Sequence, residues 1–188
     1  MIDLRNAELP NALEVDGELY EIDTDFRTWI RFNFDYENGI VPFYIFKKSV
    51  PEASYEAQAA QFLYNPNVTP RNTETTSERL LHYVIDGEYI VASFQAVYGI
   101  DLTDPKLKMH WHRFKALLDG LPENSKLGTI MSYRGWKKSN LKHETVMQRQ
   151  KEAWKLPLRI DPDTFEDLDM REAQRIAEAM YERQVNNE

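Results

Sequence analysis

The side chains able to do chemistry are few and thinly spread. Four histidines occur: His82, His110, His112 and His143. Only His110-Trp111-His112 has a metal-like look, because residues two apart on a strand share a face and could chelate zinc or nickel. The apolar periodicity around them is helical, and on a helix residues two apart diverge by about 200°. No third ligand stands at motif spacing. Packing or helix capping is the reading of that pair. Two carboxylate sets, Asp23 with Asp25, and Asp161 and Asp163 with Asp167 and Asp169, could be imagined around Mg²⁺ or Ca²⁺. The second lacks the central glycine and terminal glutamate of an EF-hand loop. N-capping and solvated acidic surface account for both sets.

The other usual entry points to catalysis are missing too. With no cysteine, thiolate chemistry, disulfides and Cys-type zinc sites go together. The seven glycines, at 17, 39, 87, 99, 120, 128 and 135, form neither phosphate-cradling loop and no Gly-x-Ser-x-Gly elbow. The expectation is a protein that is not an enzyme, with no catalytic residues, no metal site and no cofactor. Aromatics are the unusual feature: 4 Trp, 10 Tyr and 9 Phe. Phe32, Phe34, Tyr36, Phe43, Tyr44 and Phe46 crowd into one short stretch. They form either an aromatic-rich core or an apolar face for a partner, since aromatics carry disproportionate binding energy at interfaces.

The chain that must position these residues has 188 of them and a mass of 22.2 kDa, enough for one domain with an appended segment. Its 31 acids outnumber 23 bases, so the formal charge is −8 and the pI about 5.1. An acidic surface cannot displace counterions from phosphates, so nucleic acid is not an expected partner. No apolar run approaches the ~20 residues that span a bilayer, so no membrane association is expected. Met1-Ile2-Asp3-Leu4 lacks a signal-peptide layout, which points to a cytosolic protein. The excess charge is uneven. Residues 1–64 carry 12 acids against 5 bases, whereas residues 65–136 balance at 8 and 8. That is either a solvated surface or a docking face for a basic partner.

Local pattern gives a mostly α chain: a small helical domain with an N-terminal β-hairpin and a C-terminal amphipathic helix. Asp16-Gly17 between Leu13-Glu14-Val15 and Leu19-Tyr20-Glu21-Ile22 predicts a hairpin with a type I′ turn. Asp23-Thr24-Asp25 offers N-cap oxygens to a helix carrying Phe26, Trp29 and Ile30, and Asn38-Gly39 ends it. Residues 40–46 contain Pro42 and fit either a strand or a short buried helix. Pro51 suits a first helical turn, with Tyr55, Ala59, Phe62 and Leu63 on one face. Residues 65–78 read as a polar linker.

Helical order resumes over residues 79–155. Tyr89/Ile90, Ser93/Phe94 and Val97/Tyr98 recur every four residues up to a stop at Gly99. Asp104-Pro105 predicts the start of a helix bearing Leu107, Trp111, Phe114 and Leu118. Leu127, Ile130 and Met131 suggest a shorter helix, and about 139–153 an exposed polar one. Residues 156–188 form a second linker and a helix with Met170, Ala173, Ile176, Ala177 and Met180 on one side.

The block Asp86-Gly87-Glu88-Tyr89-Ile90-Val91-Ala92-Ser93-Phe94, then Tyr98-Gly99-Ile100-Asp101-Leu102, then Met109 through Pro122, then Ile130-Met131-Ser132-Tyr133-Arg134, resembles a family of phage tail assembly chaperones. That family belongs to the tail module of siphophages and prophages of Gram-positive bacteria. The opening from Val15 to Arg27 is similar as well. The chain departs from the family in having His112 where a second tryptophan usually follows Trp111, and the segment after about 156 has no counterpart. The resemblance implies a non-enzymatic task in the host bacterial cytoplasm. Such chaperones bind and solubilise the tape measure protein, help recruit the major tail tube protein, and self-associate as they do so. The alternative is a structural tail component retained in the mature particle. The candidate partner-binding residues are Phe43, Tyr44 and Phe46 from the aromatic stretch, with Trp111 and Tyr133 from the motif.

Overall fold

The turn at Asp16-Gly17 starts the fold because both residues sit at positive φ, 51° and 83°, which the short connection demands. It joins β1 (Ala12–Val15) to β2 (Glu18–Glu21), antiparallel, with Leu13 opposite Tyr20 and Glu14 opposite Leu19. The computed structural model describes residues 8–64, 79–137 and 144–157. Among these are six helices and this one hairpin, so the protein is mostly α. The described residues fall into two units, 8–64 and 79–137 with 144–157.

In the first unit, alternation along β1 buries Leu13 and Val15. α1 (Phe26–Glu37) follows, its N-terminus held by two aspartates. The Asp25 carboxylate accepts the Arg27 N–H at 3.1 Å, and Asp23 accepts the Asp25 N–H and the Thr28 hydroxyl, both at 2.9 Å. Helical spacing then buries Phe26, Trp29 and Phe32. The helix closes at Gly39, φ +81°, where the Gly39 and Ile40 amides donate back to the carbonyls of Tyr36 and Asp35. That pair of bonds is a Schellman stop.

Residues 40–46 are neither of the elements their pattern allowed. They turn through Phe43, and Phe46 then forms a single antiparallel bridge with Ile22. Pro42 removes a ladder donor from that run, which limits the pairing. Pro51 does not open the next helix. It is buried outside it, and α2 begins at Glu56 (Glu56–Tyr64) with Ala59, Phe62 and Leu63 inward. The ring's fixed φ suits an extended approach as well as a first turn.

The second unit opens with a reciprocal cap. His82 Nδ1 accepts the N–H groups of Val84 and Ile85 at 3.1 and 3.2 Å, while Asp86 accepts the His82 N–H at 2.9 Å. α3 (Gly87–Tyr98) runs on from there to Gly99, φ +65°, at the expected stop. The predicted start at Asp104-Pro105 is not used. Asp104 does close a turn on Lys106 N–H at 2.9 Å, but α4 (Trp111–Asp119) waits for His110, whose Nδ1 caps His112 N–H at 3.1 Å. Met109 before that cap and Phe114 after it are both buried, at the two positions of a hydrophobic staple.

α5 (Lys126–Gly135) is capped twice over: Ser125 accepts the Gly128 N–H at 3.1 Å, and Ser93 of α3 accepts the Leu127 N–H at 3.2 Å. α6 (Glu144–Ala153) packs on α5. Gly128 lets α5 lie against the preceding loop, since a Cβ there would stand 2.6 Å from the Pro122 carbonyl oxygen. Gly128→Ala is therefore expected to lose about 1–3 kcal/mol. A lower urea midpoint at unchanged m checks this.

Among the described residues no helix is long and apolar enough to cross a membrane. The predicted C-terminal amphipathic helix and the Asp161–Asp169 carboxylates lie outside the described residues, as does the 65–78 linker.

Candidate functional site

The aromatic stretch is split by its backbone into core and surface. In the first unit Trp29 and Phe32 are sealed from solvent, and Trp29 packs tilted against Phe62 with ring centroids 4.2 Å apart. Its indole N–H donates to the Asp23 carbonyl at 2.6 Å, which settles the one polar atom this ring buries. Phe46 is also buried, edge-on to Tyr55 at 4.8 Å. Phe43 is not: it is 43% exposed, in the same loop as the exposed Ile40. Tyr44 is half-buried beside α1. Its hydroxyl donates to Asp35 at 2.7 Å, and the Arg31 guanidinium lies 5.9 Å from its ring. Tyr36 and Tyr64 form a further ring pair at 6.4 Å, with Tyr64 exposed.

The second unit gathers its aromatics inward. Trp111 is buried between Tyr83, 5.7 Å away, and Phe114, which in turn stacks on Phe94 at 5.2 Å. Tyr133 is half-buried on α5. Of the five candidate partner-binding residues, then, Phe43 presents most surface, Tyr44 and Tyr133 present part of theirs, and Phe46 and Trp111 are core.

Spacing gave no hint of the polar arrangement at the second unit's centre. Arg134 forms two parallel bonds to Asp86, at 2.7 and 2.8 Å, with both side chains almost wholly buried, 5% and 0% exposed. The same guanidinium donates to the carbonyls of Leu80 at 2.8 Å and Trp154 at 2.7 Å. It thus ties α5 to the start of α3, to the segment before it and to the end of α6. Beside it, Lys126 lies 5.7 and 5.2 Å from the rings of Tyr89 and Trp154. This is a bolt for the fold. Four of its five N–H donors go to the protein's own acceptors. Among the described residues no group of three or more His, Asp or Glu side chains could hold a metal ion.

Residues 32–156 match the model of the family described as Bacteriophage Gp15 protein. The chain belongs to that family. The match covers about two thirds of the sequence and takes in both units, from mid-α1 to Leu156. All five candidate residues, Asp86 and Arg134 fall within it, whereas the hairpin β1–β2 precedes it. No curated protein and no solved structure matches the chain.

Proposed function

We propose that this phage protein is a tail assembly chaperone. It binds the tape measure protein before the tail tube exists, holds its apolar surface in solution and helps recruit tail tube subunits. It works in the host cytoplasm, in many copies along one tape measure chain, and catalyses no reaction. The reading rests on membership of a bacteriophage family together with the sequence resemblance. The observation that carries it is the exposed Phe43, with Ile40, on a unit whose described residues hold 11 acids and 4 bases. A holdase needs apolar contacts to take a helix and surplus charge to remain soluble. Many copies of moderate affinity then give tight overall coverage that can still be stripped off as the tube grows.

Phe43→Ser tests the contact. Being a surface change, it is expected to leave stability within about 0.5 kcal/mol. If Phe43 anchors the tape measure protein, affinity for a purified tape measure fragment falls roughly tenfold. Unchanged affinity would remove Phe43 from the binding face.

A further inference from the structure

His82 is buried and titratable, and the proposed binding face makes no use of it. It is 3% exposed, at the turn that leads into α3. Its Nδ1 takes the Val84 and Ile85 N–H groups at 3.1 and 3.2 Å, as an asparagine or aspartate oxygen does at the head of a helix. The His82 carbonyl accepts the Asp86 N–H at 2.9 Å, so ring and main chain close the turn together. A ring nitrogen that accepts two N–H groups carries no proton. The ring is then neutral, with its one proton on Nε2.

Acid reverses that arrangement. A proton on Nδ1 turns the acceptor into a donor facing two other donors, and leaves both amides unsatisfied. It also sets a positive charge against N–H groups at the approach to a helix, where burial disfavours the charge further. The neighbouring charges come from several elements. Asp86 takes the His82 main-chain N–H at 2.9 Å, and its negative charge is the one that favours protonation. Arg134 of α5 binds both oxygens of that carboxylate, at 2.7 and 2.8 Å, and offsets it. Arg79 on the preceding segment donates to the Leu81 carbonyl, Lys126 of α5 lies against the Tyr89 and Trp154 rings, and Lys151 of α6 donates to the Trp136 carbonyl. These cations weigh against one more positive charge.

We propose that His82 is an acid-sensitive latch on the second unit. Neutral, it holds the turn into α3; protonated at Nδ1, it releases the Val84 and Ile85 amides and the turn opens. Because the His82 N–H also bonds Asp86, opening loosens the carboxylate that Arg134 ties to α5. The folded chain binds this proton more weakly than the unfolded chain does. The latch is therefore closed above the ordinary histidine value of about 6.5 and is lost as pH falls below it. Residues 8–64 contain no histidine, so the first unit has none to respond in that range. The latch is independent of Phe43, and it stands whether or not the chain binds a tape measure protein.

The test follows the full ¹⁵N-labelled chain by NMR from about pH 7.5 to about pH 5.5, across the histidine range. The His82 ring signal, recognised by its loss in His82→Asn, is expected to show the proton on Nε2 at the upper end and to titrate below about 6.5. Protection of the Val84 and Ile85 amides from hydrogen exchange, corrected for the intrinsic rate, should fall about five- to tenfold over the same range. His82→Asn supplies an acceptor that does not titrate, so protection in that variant should stay level. Unchanged amide signals elsewhere in the variant show that the fold is kept; if it does not fold, the ring titration of the unaltered chain decides alone. A ring that titrates at or above about 6.5, or amide protection that falls equally in both proteins or in neither, would overturn the proposal.

Discussion

Arg134→Met should cost the protein about 3–5 kcal/mol, because it leaves the Asp86 carboxylate buried with its main partner gone. Asp86 is fully enclosed, and its carboxylate would keep the His82 N–H at 2.9 Å. The Leu80 and Trp154 carbonyls lose their donors in the same step. For an ordinary domain, stable by about 5–15 kcal/mol, that is a large fraction of the whole. A fall in Tm of roughly 10 °C is the expected scale. Asp86→Asn alone should be comparably damaging, since it strands a buried guanidinium. The double change should cost clearly less than the sum, because the two residues act as one unit. Additive losses would mean that the pair contributes little beyond its separate contacts.

Trp29→Ala should be as severe in the first unit, at about 3–5 kcal/mol, for a different reason. No charge is stranded; a large ring is removed from between Phe32 and Phe62. The Asp23 carbonyl also loses its 2.6 Å donor next to the α1 cap. Trp29→Phe separates the two effects, keeping most of the volume while dropping the N–H. It should cost about 1–3 kcal/mol, the penalty for an unsatisfied buried acceptor. Denaturant titrations of the three proteins measure both. Equal losses for the two substitutions would show that the hydrogen bond outweighs the packing.

These two centres differ in how far the sequence announces them. Trp29 sits on an apolar stripe between an Asp cap and an Asn-Gly stop, so its burial follows from local spacing. The hairpin turn and the stop at Gly99 were legible for the same reason: each needs positive φ at a fixed place, and only certain residues supply it. Asp104-Pro105 misled because its turn is real but is not propagated. His110 and the buried Met109 set the true start, and a histidine is not a usual cap. The Arg134–Asp86 pair spans 48 residues, and no periodicity reports a contact of that range. The aromatic run was harder still. Between Gly39 and Pro51 the chain follows neither helix nor strand, so there was no period from which to tell that Phe46 turns inward and Phe43 outward.

If this phage protein holds the tape measure protein in solution, as we propose, the two should be recovered as one assembly. Co-expression of the two, followed by size-exclusion chromatography with light scattering, tests it most directly. The predicted result is a large complex with many copies of this chain per tape measure protein, which is soluble only when this chain is present. An insoluble tape measure protein and a chain eluting alone would rule out the chaperone role. Recovery of the chain at fixed copy number in purified tails would then place it among the structural components instead.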